Sequence, residues 1–183
     1  FGYACINMHL QETQKVQCNR KMIKRTFLSK GIPYASELSL SNVSNLEKVV
    51  EWNNENGIGV FRITSCLFPW KSEYNYDDLP DMPEIRGILA RIGEKARAHG
   101  QRLSFHPGPF NVLASKGEST VEKTIQELDD HSDIFDMMGF PADHNTKINI
   151  HVGGAYGDRD SALDRFCQNF ERLSPSTKKR LTV

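Results

Sequence analysis

At 183 residues, 38% of them apolar and 25% charged, the chain has the makeup of a globular protein rather than a disordered one. Its 23 basic side chains are balanced by 23 acidic ones, so no net positive field draws it toward nucleic acid or anionic lipid, and any such attraction must come from local clustering. No apolar run approaches the roughly eighteen residues needed to cross a bilayer and no secretory leader opens the chain, which predicts a soluble, intracellular protein.

In chain order, Tyr3 to Asn7 reads as a short strand. A polar loop containing Asn19-Arg20 follows, then a possible helical turn from Met22 to Leu28. Ser44 to Asn56 carries Leu46, Val49, Val50 and Trp52 on a helical period, with Ser44 and Glu47 spaced as a capping box and Gly57 as the stop. Ile58 to Thr64 is a second strand. Pro83 to His99 is a helix with Ile85, Ile88, Leu89 and Ile92 inward, ended by Gly100. The strand RLSFH, 102–106, follows, then a long helix from Ser119 to Met138, the strand Lys147 to Val152, an amphipathic helix from Asp160 to Leu173, and a final strand, KRLTV, 179–183. No repeat, low-complexity tract or Pro/Gly/Ser-rich linker divides the chain, so one domain is expected.

Strands alternating with helices of this length imply right-handed βαβ crossovers and a parallel sheet, an α/β fold. Periodicity does not report whether the sheet is open or closed. Five strands fit an open sheet, whereas a (β/α)8 TIM barrel needs about 250 residues. A strand at the last residues favours the second alternative, an incomplete barrel with about five of eight strands.

In either arrangement functional groups collect at the carboxyl ends of the strands. Two histidines hold matching positions there: His106, followed by Pro-Gly, and His151, followed by Val-Gly-Gly. Neutral imidazole is the commonest side-chain metal ligand, and convergent His and carboxylate groups suit Mn²⁺, Zn²⁺ or Fe²⁺. A lone histidine at a strand end is more often a satisfied loop residue; two at one address carry the argument. The pair Gly153-Gly154 lacks the spacing of a phosphate loop. His9, His99, His131 and His144 are expected to be solvated. The cysteines Cys5, Cys18, Cys66 and Cys167 form no CxxC pair and are expected to be free thiols, with no basic partner evident to activate Cys66. Tyr3, Trp70, Tyr74 and Phe110 could stack on bases or simply pack.

The runs GYACIN at 2–7, Asn19-Arg20, FRITSCLFPWKSEY at 61–74, RLSFHPGPF at 102–110 and IHVGGAYGDR at 150–159 together resemble the UV damage endonuclease family. That resemblance implies a TIM barrel and a DNA repair enzyme that nicks immediately 5′ to cyclobutane pyrimidine dimers and 6-4 photoproducts. It also implies divalent metal ions, commonly Mn²⁺ with Zn²⁺ or Mg²⁺ possible, UV-damaged double-stranded DNA as partner, and a monomer when full length. The compartment implied is the cytoplasm and nucleoid of a bacterium or the nucleus of a eukaryote. Under the resemblance His106 and His151 are the catalytic metal ligands, and Glu73 stands where many members have a histidine ligand. Tyr3 and Asn7 lie near the damaged nucleotides, and Asn19, Arg20 and Tyr156 join the DNA-binding set. Pro109-Phe110 replaces a Gln-Tyr pair that wedges into the duplex; Phe110 retains an intercalating ring, whereas Pro109 loses the amide's hydrogen bonds. Residues 1–183 are expected to be the N-terminal part of a single endonuclease domain, with later metal ligands beyond it and little activity of its own. Arg20, Lys21, Lys24, Arg25, Lys71 and Arg159 could form a phosphate-binding surface at the strand ends, the other reading being an ordinary solvated face. Two other readings are a metal-dependent sugar isomerase or epimerase on a related barrel, and a non-catalytic DNA-binding remnant.

Overall fold

The computed structural model describes residues 1–183. Five strands, β1 (Gly2–Ala4), β2 (Val60–Ile63), β3 (Arg102–Phe105), β4 (Lys147–Asn149) and β5 (Leu181–Thr182), form one sheet in the order β1-β2-β3-β4-β5, every pair parallel. An open doubly wound sheet reverses its strand order at a switch point, whereas a barrel lays strands down in sequence, so this order is that of a partial (β/α)8 barrel. In register, Tyr3 faces Phe61, Phe61 faces Leu103, and Phe105 faces Ile148. With side chains alternating sides, Phe61, Ile63, Leu103, Phe105 and Ile148 all point into the layer between sheet and helices and are buried. The other face carries Arg62 and Ser104, both half-buried, and Val60, 43% exposed.

The crossovers are α1 (Met8–Gln14) with α2 (Lys24–Glu55), α3 (Met82–Ala98), α4 (Glu118–Met137), and α5 (Arg159–Phe170) with α6 (Pro175–Arg180). Leu46, Val49 and Val50 of α2, Ile85, Leu89 and Ile92 of α3, and Leu128 and Phe135 of α4 complete the core. Gly93 of α3 is required by packing: a Cβ there would stand 1.8 Å from the Met138 carbonyl oxygen, so only glycine lets α3 close on the end of α4.

Element ends differ from the sequence expectation, the strand expected over Lys147–Val152 stopping at Asn149, and three regions depart further. The expected strand over Tyr3–Asn7 stops pairing at Ala4, because Cys5 turns to φ 63° and Asn7 instead caps α1, accepting from the Leu10 amide at 2.9 Å. That helix occupies what reads as polar loop. The second correction concerns α2, which runs from Lys24 to Glu55 with one break at Gly31 (φ 63°), so Ser44 lies inside the helix and caps nothing. Glu47 accepts instead from Arg91 and Lys95, at 2.9 and 2.8 Å. The apolar period over 35–43 is masked by small polar residues that are buried anyway: Ser39 donates to the Ala35 carbonyl and Ser36 to Asp81. At the other end, Lys179 and Arg180 finish α6, whose N-cap is Ser174 with Pro175 behind it, and only Leu181–Thr182 pair with β4. Arg180 is fully buried, giving hydrogen bonds to Ser132, Ser176 and the Phe140 carbonyl and an ion pair to Asp136 at 2.8 Å.

Candidate functional site

The sheet order sets the ends of β3 and β4 side by side. His106 follows β3 directly and His151 lies two residues beyond β4; their ring centroids are 5.2 Å apart and the planes cross at 78°. His106 Nδ1 lies 2.7 Å from the carbonyl oxygen of Asn149. A carbonyl only accepts, so Nδ1 carries a proton, and in the neutral ring Nε2 is the nitrogen with the free lone pair. The His106 carbonyl in turn accepts from Ser65 Oγ at 3.0 Å, so the loop after β2 and the end of β4 both hold this residue. An imidazole whose far nitrogen is fixed by a backbone acceptor is the usual arrangement for a metal-binding histidine. The fit to a divalent ion stops at two donors: no group of three His, Cys, Asp or Glu side chains converges as a metal site. Glu73 stands apart, exposed in the turn Lys71–Glu73 and accepting only from neighbouring Ser72 at 3.3 Å.

A cavity of about 590 Å³ opens beside His106, between the loop after β2, the loop after β3 and α4. Phe68, Trp70 and Tyr76 form aromatic wall, and Lys21 and Lys123 supply cations. On its floor Lys71 Nζ pairs with Asp130 at 2.8 Å and lies 4.3 Å above the Tyr76 ring. Burial pushes the carboxyls of Glu127, Asp130 and Asp133 above the usual range, more than the Lys71 hydrogen bond pulls Asp130 down. Lys71, a candidate phosphate-binding cation, is thus held by Asp130 with its side chain 13% exposed. His131, expected in solvent, is buried against Phe105 with ring centroids 4.5 Å apart, and burial pushes its pKa down to about 4. His9, His99 and His144 are exposed as expected. All four cysteines are free, and burial pushes the Cys18 thiol up to about 12, far from a reactive thiolate.

The remaining positions divide into anchored and exposed. The Tyr3 hydroxyl donates to Asn53 of α2 at 2.7 Å and accepts from Asn7 at 2.8 Å, so these two are bonded toward the helix layer and neither lines the cavity. Asn19 and Arg20 lie on the loop before α2; both the N–H and the carbonyl of Arg20 are held by buried Asn42. Pro109 and Phe110 project from the loop after β3, Phe110 88% exposed at the cavity rim. Tyr156, 59% exposed at φ 46°, has Lys116 Nζ 5.1 Å from its ring centre. Gly154 beside it is also required, since its φ is +63° and a Cβ would lie 2.7 Å from the Ala114 carbonyl oxygen. Sequence reasoning missed the Asn149 carbonyl and the Lys71–Asp130 pair. The first is invisible because every residue has a carbonyl; for the second, the only signal is a charged residue on the apolar side of α4.

Fold and site together define a (β/α)-barrel protein with two imidazoles meeting at the carboxyl ends of adjacent strands. The chain belongs to the UV-endonuclease UvdE family, whose description matches residues 1–183. It is 34% identical over 185 residues to the UV-damage endonuclease of Schizosaccharomyces pombe, covering 100% of this chain and 31% of that protein. It is 31% identical over 182 residues to the UV DNA damage endonuclease of Clostridium perfringens, covering 100% of this chain and 42% of that one. The crystal structure of SacUVDE superposes with a TM-score of 0.85 at 30% identity, over 99% of this chain and 58% of that one. The chain thus spans between about a third and about half of the curated relatives. No helix is long and apolar enough to cross a membrane.

Proposed function

We propose that the protein is a DNA repair endonuclease that cuts the phosphodiester backbone immediately 5′ to UV photoproducts in double-stranded DNA, with Mn²⁺ bound by His106 and His151. The observation that carries this reading is the His106–His151 pair, 5.2 Å apart at the strand ends of a UvdE-family barrel. His106 and His151 would hold a divalent ion, which when bound would supply Lewis acidity at the scissile phosphate. The protein's own part is placement: the Asn149 carbonyl fixes the His106 tautomer so that Nε2 is the donor nitrogen, and Ser65 fixes the loop that carries it. Glu73 is left out of the ligand set because it does not converge with the two imidazoles into a group of three donors. Phe110, bare at the cavity rim, probes the stack, and a weakly paired photodimer is easier to extrude than normal bases. Tyr156 and Arg20 stand exposed to take up the backbone.

The test is incubation of the full-length protein containing these residues with Mn²⁺ and a duplex holding one cyclobutane dimer. A single cut directly 5′ to the dimer is expected, and His106→Ala or His151→Ala lowers bound manganese and incision together. Absence of that cut, or normal manganese content in both variants, overturns the reading.

A further inference from the structure

Between Glu12 and Glu37 the chain has no carboxylate and six cations: Lys15, Arg20, Lys21, Lys24, Arg25 and Lys30. In a protein of zero net charge this is a strong local excess. All six are exposed, and none forms an ion pair. Helix stability does not account for them, since Lys24 and Arg25 occupy the first turn of α2, where the helix dipole disfavours positive charge.

Nor is the segment loose. Buried Asn42 accepts from the Arg20 amide at 2.9 Å and donates to the carbonyls of Arg20 and Leu67, each at 3.1 Å. Asn45 donates to the Gln17 carbonyl, Trp70 Nε1 to the Met22 carbonyl at 2.9 Å, and Phe27 stacks on Trp70. The segment is therefore pinned to the loop after β2, and Lys21 lines the same cavity as His106.

We infer that residues 15–30 form a preset track for the phosphates of duplex DNA, binding backbone outside the lesion without reading sequence or damage. This rests on the nuclease reading above and adds the surface that supplies general affinity. The alternative partner for such a surface is an anionic membrane, since Ile23 and Leu28 are 63% and 73% exposed among the cations. The continuity of the track with the His106 cavity favours DNA.

The test compares the protein with the triple variant Lys21→Gln, Lys24→Gln, Arg25→Gln. A control removes three ion-paired cations elsewhere, Arg86→Gln, Arg91→Gln and Arg172→Gln. Binding to a duplex with one photodimer and to the same duplex undamaged is measured from 50 to 300 mM KCl. At about 0.9 per phosphate, the triple variant loses up to about 3 from the slope of log affinity against log salt. Near 150 mM that corresponds to about 100-fold weaker binding to both duplexes, the preference for damage being retained. An unchanged slope, an equal loss in the control, a loss confined to the damaged duplex, or intact duplex binding with lost binding to phosphatidylserine vesicles would each overturn the inference. Failure of the protein to bind any duplex overturns both readings. Salt-sensitive binding that the triple variant loses, without incision by the unaltered full-length protein, supports the track and removes only the nuclease reading.

Discussion

His131 offers a quantitative check on the packing beneath the cavity. Its ring sits against Phe105, Nδ1 lies 2.5 Å from the Glu127 carbonyl oxygen, and burial lowers its pKa from 6.5 to about 4. The folded form therefore binds a proton less readily than the unfolded chain. The stability this contributes is fully present above about pH 6.5 and is lost as pH falls through about 4. At about 1.4 kcal/mol per pH unit the window amounts to about 3 kcal/mol. The neighbouring carboxyls of Glu127, Asp130 and Asp133, held high by burial, act with the opposite sign: their contribution is greatest at low pH and declines as pH rises. Comparison with His131→Asn removes that background, because the amide keeps a donor for the Glu127 carbonyl and does not titrate. Urea unfolding at half-unit steps from pH 7 to pH 4 is the assay. The stability difference between the two proteins should shrink on acidification by about 3 kcal/mol. Parallel curves would show that His131 titrates in the folded state as freely as in solvent, and the buried placement would be wrong.

Two further substitutions test the scaffold. Arg180→Ala removes a fully buried guanidinium and strands the Phe140 carbonyl and Ser132, so denaturant unfolding should show a loss of about 3–5 kcal/mol; a loss under 1 kcal/mol would contradict its burial. Asn42→Ala leaves the Arg20 amide and the carbonyls of Arg20 and Leu67 without their partner. It should lower stability by about 2–3 kcal/mol and speed proteolysis after Lys15, Arg20 or Lys21, whereas an unchanged cleavage rate would show that the segment is held by other contacts.

Local signals were legible wherever a strong period met a clear stop. The helix at Pro83–His99 emerges one residue earlier at each end as α3, and the RLSFH run becomes β3 with His106 just past its end. They failed where burial was achieved by small polar residues: Ser36, Ser39 and Asn42 broke the apolar period of α2, and each is fully buried because its hydrogen bonds are met, those of Ser36 and Asn42 at a distance in sequence and that of Ser39 by the Ala35 carbonyl one turn back. They failed again at Lys71 and His131, read as solvated because charge and imidazole usually are.

What the amino-acid order determined by itself was the alternation of strands and helices and the placing of a histidine after each of two strands, since both depend on neighbours within a few residues. Whether the sheet runs in sequential barrel order, whether those two imidazoles meet, and how exposed Glu73 is were decided only by tertiary structure. Each depends on how strands more than thirty residues apart settle beside one another, and that is governed by burial of Phe61, Leu103, Phe105 and Ile148 under the helices rather than by any local preference.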